Sequence, residues 1–274
     1  MGPGLYSEIG KKARDLLYRD YQTDQKFVLT TCTPTGVTVT TTGAKIGDLF
    51  VADLSTQLRK KNITTDIKVD INSNLFATMT VDEPAPGAKA ILSYAIPDQR
   101  SPKAELQFLH EYVGVTTSVG LTANPMVNFS TTVGTGEFAF GTDVSFDSAT
   151  GAFTKCNVGL SFSQADIIAS LNLNNKGDTL IASYFHTVNP LKNTAVGAEL
   201  SHTFSKSDDT LTLGMMQAFD PLTTFKAKIN NYGKASALIQ HGWRPKSLMT
   251  ISVEADAGAI EKTTKVGLAM VLRP

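Results

Sequence analysis

The stretch TTFKAKINNYGKASALIQH, residues 223–241, shows most clearly the pattern from which we predict the fold. Apolar and polar residues alternate through FKAKIN and again through ASALIQ, with Leu238 as the one lapse. Because successive side chains of a strand point to opposite faces, each half has one apolar face and one wet face. Asn231 and Gly233 in the middle favour a turn, since both residue types tolerate positive φ. The stretch therefore predicts a hairpin of two half-polar strands.

The same alternation recurs along the rest of the chain from Phe27 onward. We count about nineteen such runs, roughly a dozen residues apart, as expected for tilted membrane strands joined by short turns. Prolines fall at the boundaries between runs, as ladder hydrogen bonding requires. No linker or shift of composition divides the chain. We predict a single domain over 1–274, with a helical segment over 1–25 and the strands over 26–274.

Two architectures fit such a series of strands. A soluble β-sandwich also alternates, so a soluble all-β binding module remains the alternative. Three features favour a closed transmembrane β-barrel of about 19 strands. The chain is long for one sandwich but shows no division into domains, its alternating runs are longer than the average strand of ~5–6 residues, and its content of charged residues is low. Charged residues make up 18% of the chain, below the ~25% of a typical soluble domain. An apolar exterior requires closure, because an open edge in lipid leaves backbone groups unpaired.

Composition excludes several other classes of protein. The formal net charge is zero, so the chain lacks a general basic surface and no nucleic-acid partner is indicated. Mean hydropathy is −0.04, and no run reaches the ~18 apolar residues of a spanning helix. The first twenty residues lack the apolar centre of a secretory signal. Cys32 and Cys156 form no disulfide framework and favour synthesis in a reducing compartment.

The N-terminal segment carries a helical pattern over residues 5–20. Apolar positions recur at helical spacing and basic positions gather on the polar side: Leu5, Ile9, Ala13 and Leu16 or Leu17 against Lys11, Lys12 and Arg14. Ser7 is the predicted N-cap. Gly10 is expected to weaken and kink the helix. The pattern alone does not say what this amphipathic helix packs against.

No pattern in the sequence indicates catalysis, so we expect neither an enzyme nor a cofactor. The stretch GTGEFA at 134–139 loosely resembles a dinucleotide loop, but no helix follows it, and we interpret it as a turn. No nucleophile elbow occurs. We expect no metal site, because the four histidines lack metal-ligand spacing: His110, His186, His202 and His241.

Basic residues on the polar side of the strands are the candidate functional residues. Lys68, Lys226 and Lys228 would face the lumen of a barrel, together with the basic residues of the helix. Rings of charge that line a pore set its ion preference. Acidic residues share the lumen side, so these residues alone do not fix the sign of selectivity: Asp66, Asp70, Asp143 and Glu199.

Over its whole length the chain resembles the eukaryotic mitochondrial porins, the voltage-dependent anion channels, in their plant form. Three segments carry the resemblance: LYSEIGKKARDLLYRDY at 5–21, the signature between Asp220 and Ala237, and KVGLAMVL at 265–272. The last of these matches the polar-x-Gly-x-x-hydrophobic-x-hydrophobic signal for mitochondrial β-barrel insertion. Gln217 departs from the signature, where the family has Tyr or His.

The resemblance implies a fold and a function. It implies nineteen strands, parallel pairing of the first and last strands, and an N-terminal amphipathic helix inside the lumen. It implies a channel of the outer mitochondrial membrane that passes ATP, ADP, phosphate and small metabolites, prefers anions when open and closes partly with voltage. Homo-oligomers and mitochondrial or cytosolic protein partners are further expectations.

The resemblance also gives roles to particular residues. Lys11 and Arg14 match helix residues linked to nucleotide passage, and Lys228 matches a lumen lysine. Lys89 follows Gly87-Ala88, where animal members have Gly-Leu before the lysine. Val69 stands where some animal members carry a lipid-facing glutamate, so we do not expect regulation through that carboxylate here. The expected pore-lining set is Lys11, Lys12, Arg14, Lys68, Lys89, Lys226 and Lys228.

Overall fold

Nineteen strands, each paired with the next along the chain, make up most of what the structure describes. The computed structural model describes residues 2–34, 36–98, 102–190, 192–256 and 264–273. The strands are β1 (Gln25–Cys32), β2 (Val37–Ile46), β3 (Leu49–Lys60), β4 (Ile63–Asp70), β5 (Leu75–Asp82), β6 (Ala88–Ile96), β7 (Lys103–Leu109), β8 (Val113–Gly120), β9 (Met126–Gly134), β10 (Phe138–Asp147), β11 (Ala152–Gln164), β12 (Ile167–Asn174), β13 (Thr179–Asn189), β14 (Thr194–Thr203), β15 (Asp208–Asp220), β16 (Thr223–Asn230), β17 (Lys234–Arg244), β18 (Ser247–Asp256) and β19 (Lys265–Leu272).

The ring closes between the first and last strands. β1 pairs with β19 in parallel, from Gln25 opposite Leu268 to Leu29 opposite Leu272. On its other side β1 pairs antiparallel with β2. An odd number of up-and-down strands makes the first and last strands run in the same direction, so only a parallel ladder can close the ring. The predicted barrel of about nineteen strands and its parallel closure are confirmed.

The outer face of the barrel is apolar all the way round. Outward residues of successive strands meet in cross-strand pairs, such as Ile67 with Ala77 and Leu160 with Leu171. Large apolar side chains are exposed on this face of nearly every strand, among them Phe27, Leu54, Ile67, Met79, Leu106, Phe129, Phe140, Leu160, Leu171, Leu200, Leu213, Ile239, Ile251 and Leu268. Exposed apolar surface on this scale suits lipid rather than water. The alternative of a soluble binding module is therefore wrong.

The N-terminal segment lies inside the barrel, as the resemblance predicted. A 3-10 turn covers Tyr6–Glu8, and the helix α1 covers Lys11–Tyr18. Leu16 and Leu17 are buried against Ala195 of β14, and α1 contacts the strands from β13 to β16. No helix in the described part of the chain has the length and apolar character that a membrane span requires.

The start of the helix differs from the prediction. Ser7 is not the N-cap; Gly10 occupies that position, with φ of 70° and no side-chain cap. Its left-handed conformation separates the 3-10 turn from α1, and such a conformation favours glycine. The helical pattern is therefore interrupted at Gly10, where the sequence predicted a kink.

A charge on the outer face should destabilise the barrel far more than a charge in the lumen. Ile67→Arg places a cation among lipid chains from the middle of β4, and we expect a loss of about 2–4 kcal/mol of unfolding free energy. Asp66→Arg, one residue earlier and facing the lumen, is the control and should cost much less. Urea unfolding in phospholipid vesicles measures both. Equal losses would contradict the assignment of faces.

Candidate functional site

The site is the lumen of the barrel, and the N-terminal segment of the chain follows more than half of the inner wall, from β8 to β19. Gly4 contacts Gly114 of β8 at one end of the segment, and Gln22 contacts Gly267 of β19 at the other. A Cβ on either wall glycine would overlap the backbone of the segment. Leu268 then donates its backbone N–H to Asp24 O at 3.1 Å, just before β1 begins. The segment is therefore held against the wall along its whole course.

The first of two glycine pairs lies under the 3-10 turn. Gly141 of β10 and Gly159 of β11 are directly opposite one another in the ladder. A Cβ built on Gly141 would lie 2.7 Å from Tyr6 Cδ2, and one on Gly159 would lie 3.1 Å from Ile9 Cδ1. Real Cβ atoms do not tolerate the first of these contacts. Two neighbouring residues without side chains thus make the space that Tyr6 and Ile9 fill.

The second glycine pair lies under the helix. Gly197 of β14 and Gly214 of β15 are also directly opposite one another. A Cβ on Gly214 would lie 2.5 Å from Leu17 Cδ2, and one on Gly197 would lie 3.4 Å from Leu16 Cδ2. Leu17 is fully buried there. The helix packs its apolar side into this second space, so its two leucines replace side chains that the wall lacks.

Between the glycine pairs the segment crosses two serines. Ser170 of β12 and Ser183 of β13 are opposite one another, and their hydroxyl groups hydrogen bond at 2.6 Å. A Cβ on Gly10 would lie 2.8 Å from Ser170 Oγ. Glycine is therefore required at position 10 for two reasons: the backbone has a positive φ, and it lies close to the wall.

The C-terminal end of α1 is fixed by a hydrogen bond to a buried carboxylate. Tyr18 donates its hydroxyl group to Glu199 Oε1 at 2.7 Å. Burial, and next this hydrogen bond to Glu199, raise the pKa of Tyr18 to about 12. The phenol therefore keeps its proton across the physiological pH range and remains a donor to Glu199.

Lys226 and Lys228 of β16 contact the N-terminal segment directly. Lys228 Nζ lies 4.9 Å from the centroid of the Tyr18 ring and 4.5 Å from that of Tyr21. Lys226 is 8% exposed, and its Nζ lies 3.4 Å from Asp20 Oδ2. Both lysines lie on the lumen side, but their charged ends contact the N-terminal segment.

The basic residues of the helix reach the open lumen. Lys11 and Lys12 are exposed; Lys11 lies 4.0 Å from Glu8, and Lys12 lies 5.9 Å from the Phe185 ring centroid. Arg14 is exposed and donates from Nη2 to Ser7 O at 2.9 Å and to Ile9 O at 3.1 Å. Since guanidinium groups have further donors, Arg14 holds the 3-10 turn and still presents charge to the lumen.

The two remaining lysines of the expected set lie on the wall away from the helix. Lys68 of β4 pairs with Asp53 at 3.3 Å, and Lys89 of β6 pairs with Asp82 at 3.6 Å. Each lysine keeps about half of its side chain exposed, at 49% and 45%. The structure thus brings Lys226 and Lys228 together with the segment, but leaves Lys68 and Lys89 apart from it.

A polar cavity of about 390 Å³ lies between the segment and the wall. Arg14 lines it on the segment side, and Asn157, Asn172 and Asn174 line it on the wall side. Lys155 also lines it but pairs with Asp143 at 2.5 Å. In the described part of the chain, no group of His, Cys, Asp or Glu side chains is arranged to hold a metal ion.

Sequence reasoning missed the residues that position the helix. They are the four glycines of the two pairs, the tyrosines Tyr18 and Tyr21, which contact a wall lysine, and Glu199, which accepts a hydrogen bond from the helix. A signal existed in the sequence, because glycines recur at lumen-facing positions of neighbouring strands: Gly141, Gly159, Gly197 and Gly214. Glycine weakens a strand unless something approaches closely, so its recurrence on one face indicates a packed segment.

A closed barrel with an apolar outer face, a polar lumen and a basic helix inside defines a membrane pore. The family model of eukaryotic porins matches residues 2–267. The chain belongs to the eukaryotic porin family.

Plant proteins of this family are similar to the chain over its full length. The mitochondrial outer membrane protein porin of 34 kDa of Solanum tuberosum is 66% identical and covers 100% of this chain and 99% of its own. Mitochondrial outer membrane protein porin 1 of Arabidopsis thaliana is 59% identical with the same coverage. The outer plastidial membrane protein porin of Pisum sativum is 61% identical, again with the same coverage.

Among solved structures, a mutant of Rh. blastica porin matches with a TM-score of 0.51. It is 13% identical and covers 89% of this chain and 93% of its own. At this identity the match supports the barrel fold alone.

Filling the second glycine pair should displace the helix. Gly214→Val adds atoms where Leu17 packs, and overpacking of this kind costs about 1–3 kcal/mol. We expect a nitroxide at Asp15→Cys, in a Cys32→Ser, Cys156→Ser background, to become more mobile in electron paramagnetic resonance spectra. Gly120→Val is the control, because a Cβ there meets only ordinary contacts. Equal mobility in the two variants would contradict the packing role of the pair.

Removing the cation between the two tyrosines should loosen the same helix. Lys228→Gln leaves Tyr18 and Tyr21 without a charge between them, at a cost of about 1–2 kcal/mol. The nitroxide at Asp15→Cys should again gain mobility. Lys68→Gln removes a lumen lysine that does not touch the segment, so the label should not respond. A response to both variants would show that the label senses lumen charge rather than this contact.

Proposed function

We propose that this chain forms a wide, water-filled pore in the outer mitochondrial membrane, through which ATP, ADP, phosphate and small metabolite anions diffuse. The observation that carries the proposal is the separation of faces: apolar side chains cover the outside, and polar residues line the ring within. Water and ions pass such a lumen without meeting the lipid. The plant relatives named as mitochondrial outer membrane porins support this location. The pea relative makes the outer plastid membrane a second candidate location.

The preference for anions arises mainly from the helix. Lys11, Lys12 and Arg14 present charge to the open lumen. Lys11 shares its charge with Glu8 at 4.0 Å, whereas Arg14 hydrogen bonds to neutral carbonyl groups, which leave its charge uncompensated. The wall lysines Lys68 and Lys89 each have a carboxylate within 4 Å, which weakens their field at a distance. A phosphate group that passes the helix therefore meets the strongest uncompensated positive charge there.

Lys226 and Lys228 contribute to the same preference by another route. Their charged ends face Asp20 and the two tyrosine rings, so they hold the basic helix where permeating anions pass it. We infer that voltage-driven partial closure involves loss of this arrangement, because the segment carries charge inside the pore. Homo-oligomers and mitochondrial or cytosolic protein partners are part of the proposal through the family resemblance.

Reversing charge on the helix should move selectivity toward cations. In Lys11→Glu with Arg14→Glu, the reversal potential under a KCl gradient across a planar bilayer should shift toward the value for potassium. The control is Lys45→Glu with Lys206→Glu, which makes the same change of net charge at exposed positions near the ends of strands. An unchanged reversal potential in the helix variant would remove the helix from the mechanism.

Release of ATP from vesicles tests the pore itself. Liposomes loaded with ATP should lose it when the purified protein is inserted, and a luciferase reaction outside the vesicles measures the loss. Protein denatured before addition is the control. Vesicles that insert the protein and stay sealed would overturn the proposed function.

A further inference from the structure

Five basic residues gather on one arc of one mouth of the barrel. The odd-numbered strands end at this mouth, and the arc runs from the β17–β18 turn, past the end of β19, to the β3–β4 turn. All five side chains are exposed. We call them the basic arc: Lys60, Lys61, Arg244, Lys246 and Arg273.

The basic arc contains no Asp or Glu. None occurs among the described residues of the stretches 31–38, 57–64, 242–248 and 272–273 that form it. The turns on the rest of the same mouth, together with the last residue of the strand before each turn, have the opposite character. They contain a single basic residue, Lys192, and six acidic ones: Asp82, Glu83, Glu111, Glu137, Asp166 and Asp220. The chain as a whole is neutral, so this division of charge around one rim is local.

An apolar groove leads up to the lysines at one end of the arc. The groove has a volume of about 750 Å³. Leu58, Ile63 and Val81 line its lower part on the lipid side, and Lys60 and Lys61 line its upper end. Lys60 continues the outward-facing row of β3 that includes Leu54 and Leu58, so its charge stands directly above lipid-facing surface.

Two acidic residues also line this groove. Asp82 is paired with Lys89 at 3.6 Å. Glu83 forms no ion pair among the described residues. Its negative charge therefore weakens the attraction of the two lysines for an anion. Replacing this carboxylate with an amide should strengthen that attraction.

The other end of the arc has the features of a membrane interface. Trp243 is 50% exposed, and the Arg244 guanidinium lies over its ring at 5.2 Å. Tryptophan concentrates at the level of lipid headgroups, where its ring is in contact with lipid and its N–H with water. The arc is thus placed at the depth where lipid phosphates lie.

We propose that the basic arc binds the headgroups of anionic phospholipids, and that the groove below Lys60 and Lys61 receives an acyl chain of one such lipid. Clusters of four to eight basic residues beside a membrane attract anionic lipids. The groove favours a lipid over a soluble acidic protein, because it joins the charged rim to surface that lies within the bilayer. The barrel is therefore surrounded by an uneven ring of lipids, with anionic headgroups enriched at one arc of one mouth.

Fluorescence of Trp243 tests the proposal directly, since it is the single tryptophan of the chain. The protein is placed in vesicles with a minority of phosphatidylglycerol in phosphatidylcholine, with bromine on the acyl chains of one lipid or the other. Quenching by brominated phosphatidylglycerol should exceed its mole fraction by about fivefold, the effect of one basic side chain at the membrane surface. Lys246→Gln with Arg273→Gln should reduce the excess while leaving Arg244 on the ring.

The groove is tested with a moved reporter. In Trp243→Phe with Ile63→Trp, brominated phosphatidylglycerol should again quench in excess of its mole fraction. Lys60→Gln with Lys61→Gln should remove the excess, and Glu83→Gln should increase it. Tyr112→Trp in Trp243→Phe, next to Glu111 on the acidic part of the rim, is the matched control and should show no excess.

Each variant is first tested for ATP release, so that failure to insert is distinguished from loss of lipid binding. The proposal rests on the membrane location of the pore but not on its selectivity. The excess should fall at high salt, because exposed charges are screened over about 3 Å at 1 M against about 10 Å at 0.1 M. The proposal would be overturned if all three reporter tryptophans were quenched only in proportion to the mole fraction of brominated phosphatidylglycerol. A shift of Trp243 emission by soluble polyglutamate without lipid enrichment would overturn it in favour of an acidic polypeptide.

Discussion

Backbone hydrogen bonding in lipid is the constraint on which the rest of this structure depends. An N–H or C=O group exposed to hydrocarbon has no partner, so a sheet that crosses a membrane must close on itself. Here the last pairing is the parallel ladder between β1 and β19. Because closure uses both strands, the residues before β1 cannot add a strand to the ring. Residues 2–24 lie in the lumen instead.

A segment inside a pore needs a place on the wall, and small residues provide it. Directly opposed glycines on neighbouring strands remove two side chains at one point. Tyr6 with Ile9 and Leu16 with Leu17 then fill the spaces and bury apolar surface that would otherwise face water. The docked position of the segment is therefore a packing property of the wall, and its charged contacts at Glu199 and Lys228 act in addition to that packing.

The sequence predicted the strands and the orientation of their side chains, because both follow from a period of two that is local in the chain. It assigned Lys68 and Lys228 to the same lumen face, which is where both lie. It could not distinguish them, since the difference depends on contacts between residues far apart in sequence: Asp53 near Lys68, and Tyr18 and Tyr21 near Lys228. The prediction of Ser7 as the N-cap was wrong for a related reason. Its residue type favours capping, but the wall at Ser170 required the close approach of Gly10, and the helix begins there instead.

These contacts couple two properties that a simple charged tube would keep separate. The basic charge that meets permeating anions is carried by a segment, and the position of that segment depends partly on two wall lysines. A change at Lys228 therefore removes one positive charge from the wall and also moves several positive charges on the helix. Coulomb energy varies with distance and with local dielectric, so displacement of the helix by a few ångströms can change the field at the pore axis more than loss of one partly buried cation. Lumen residues that contact the segment and lumen residues that do not will consequently differ in effect, even where residue type and strand parity are the same.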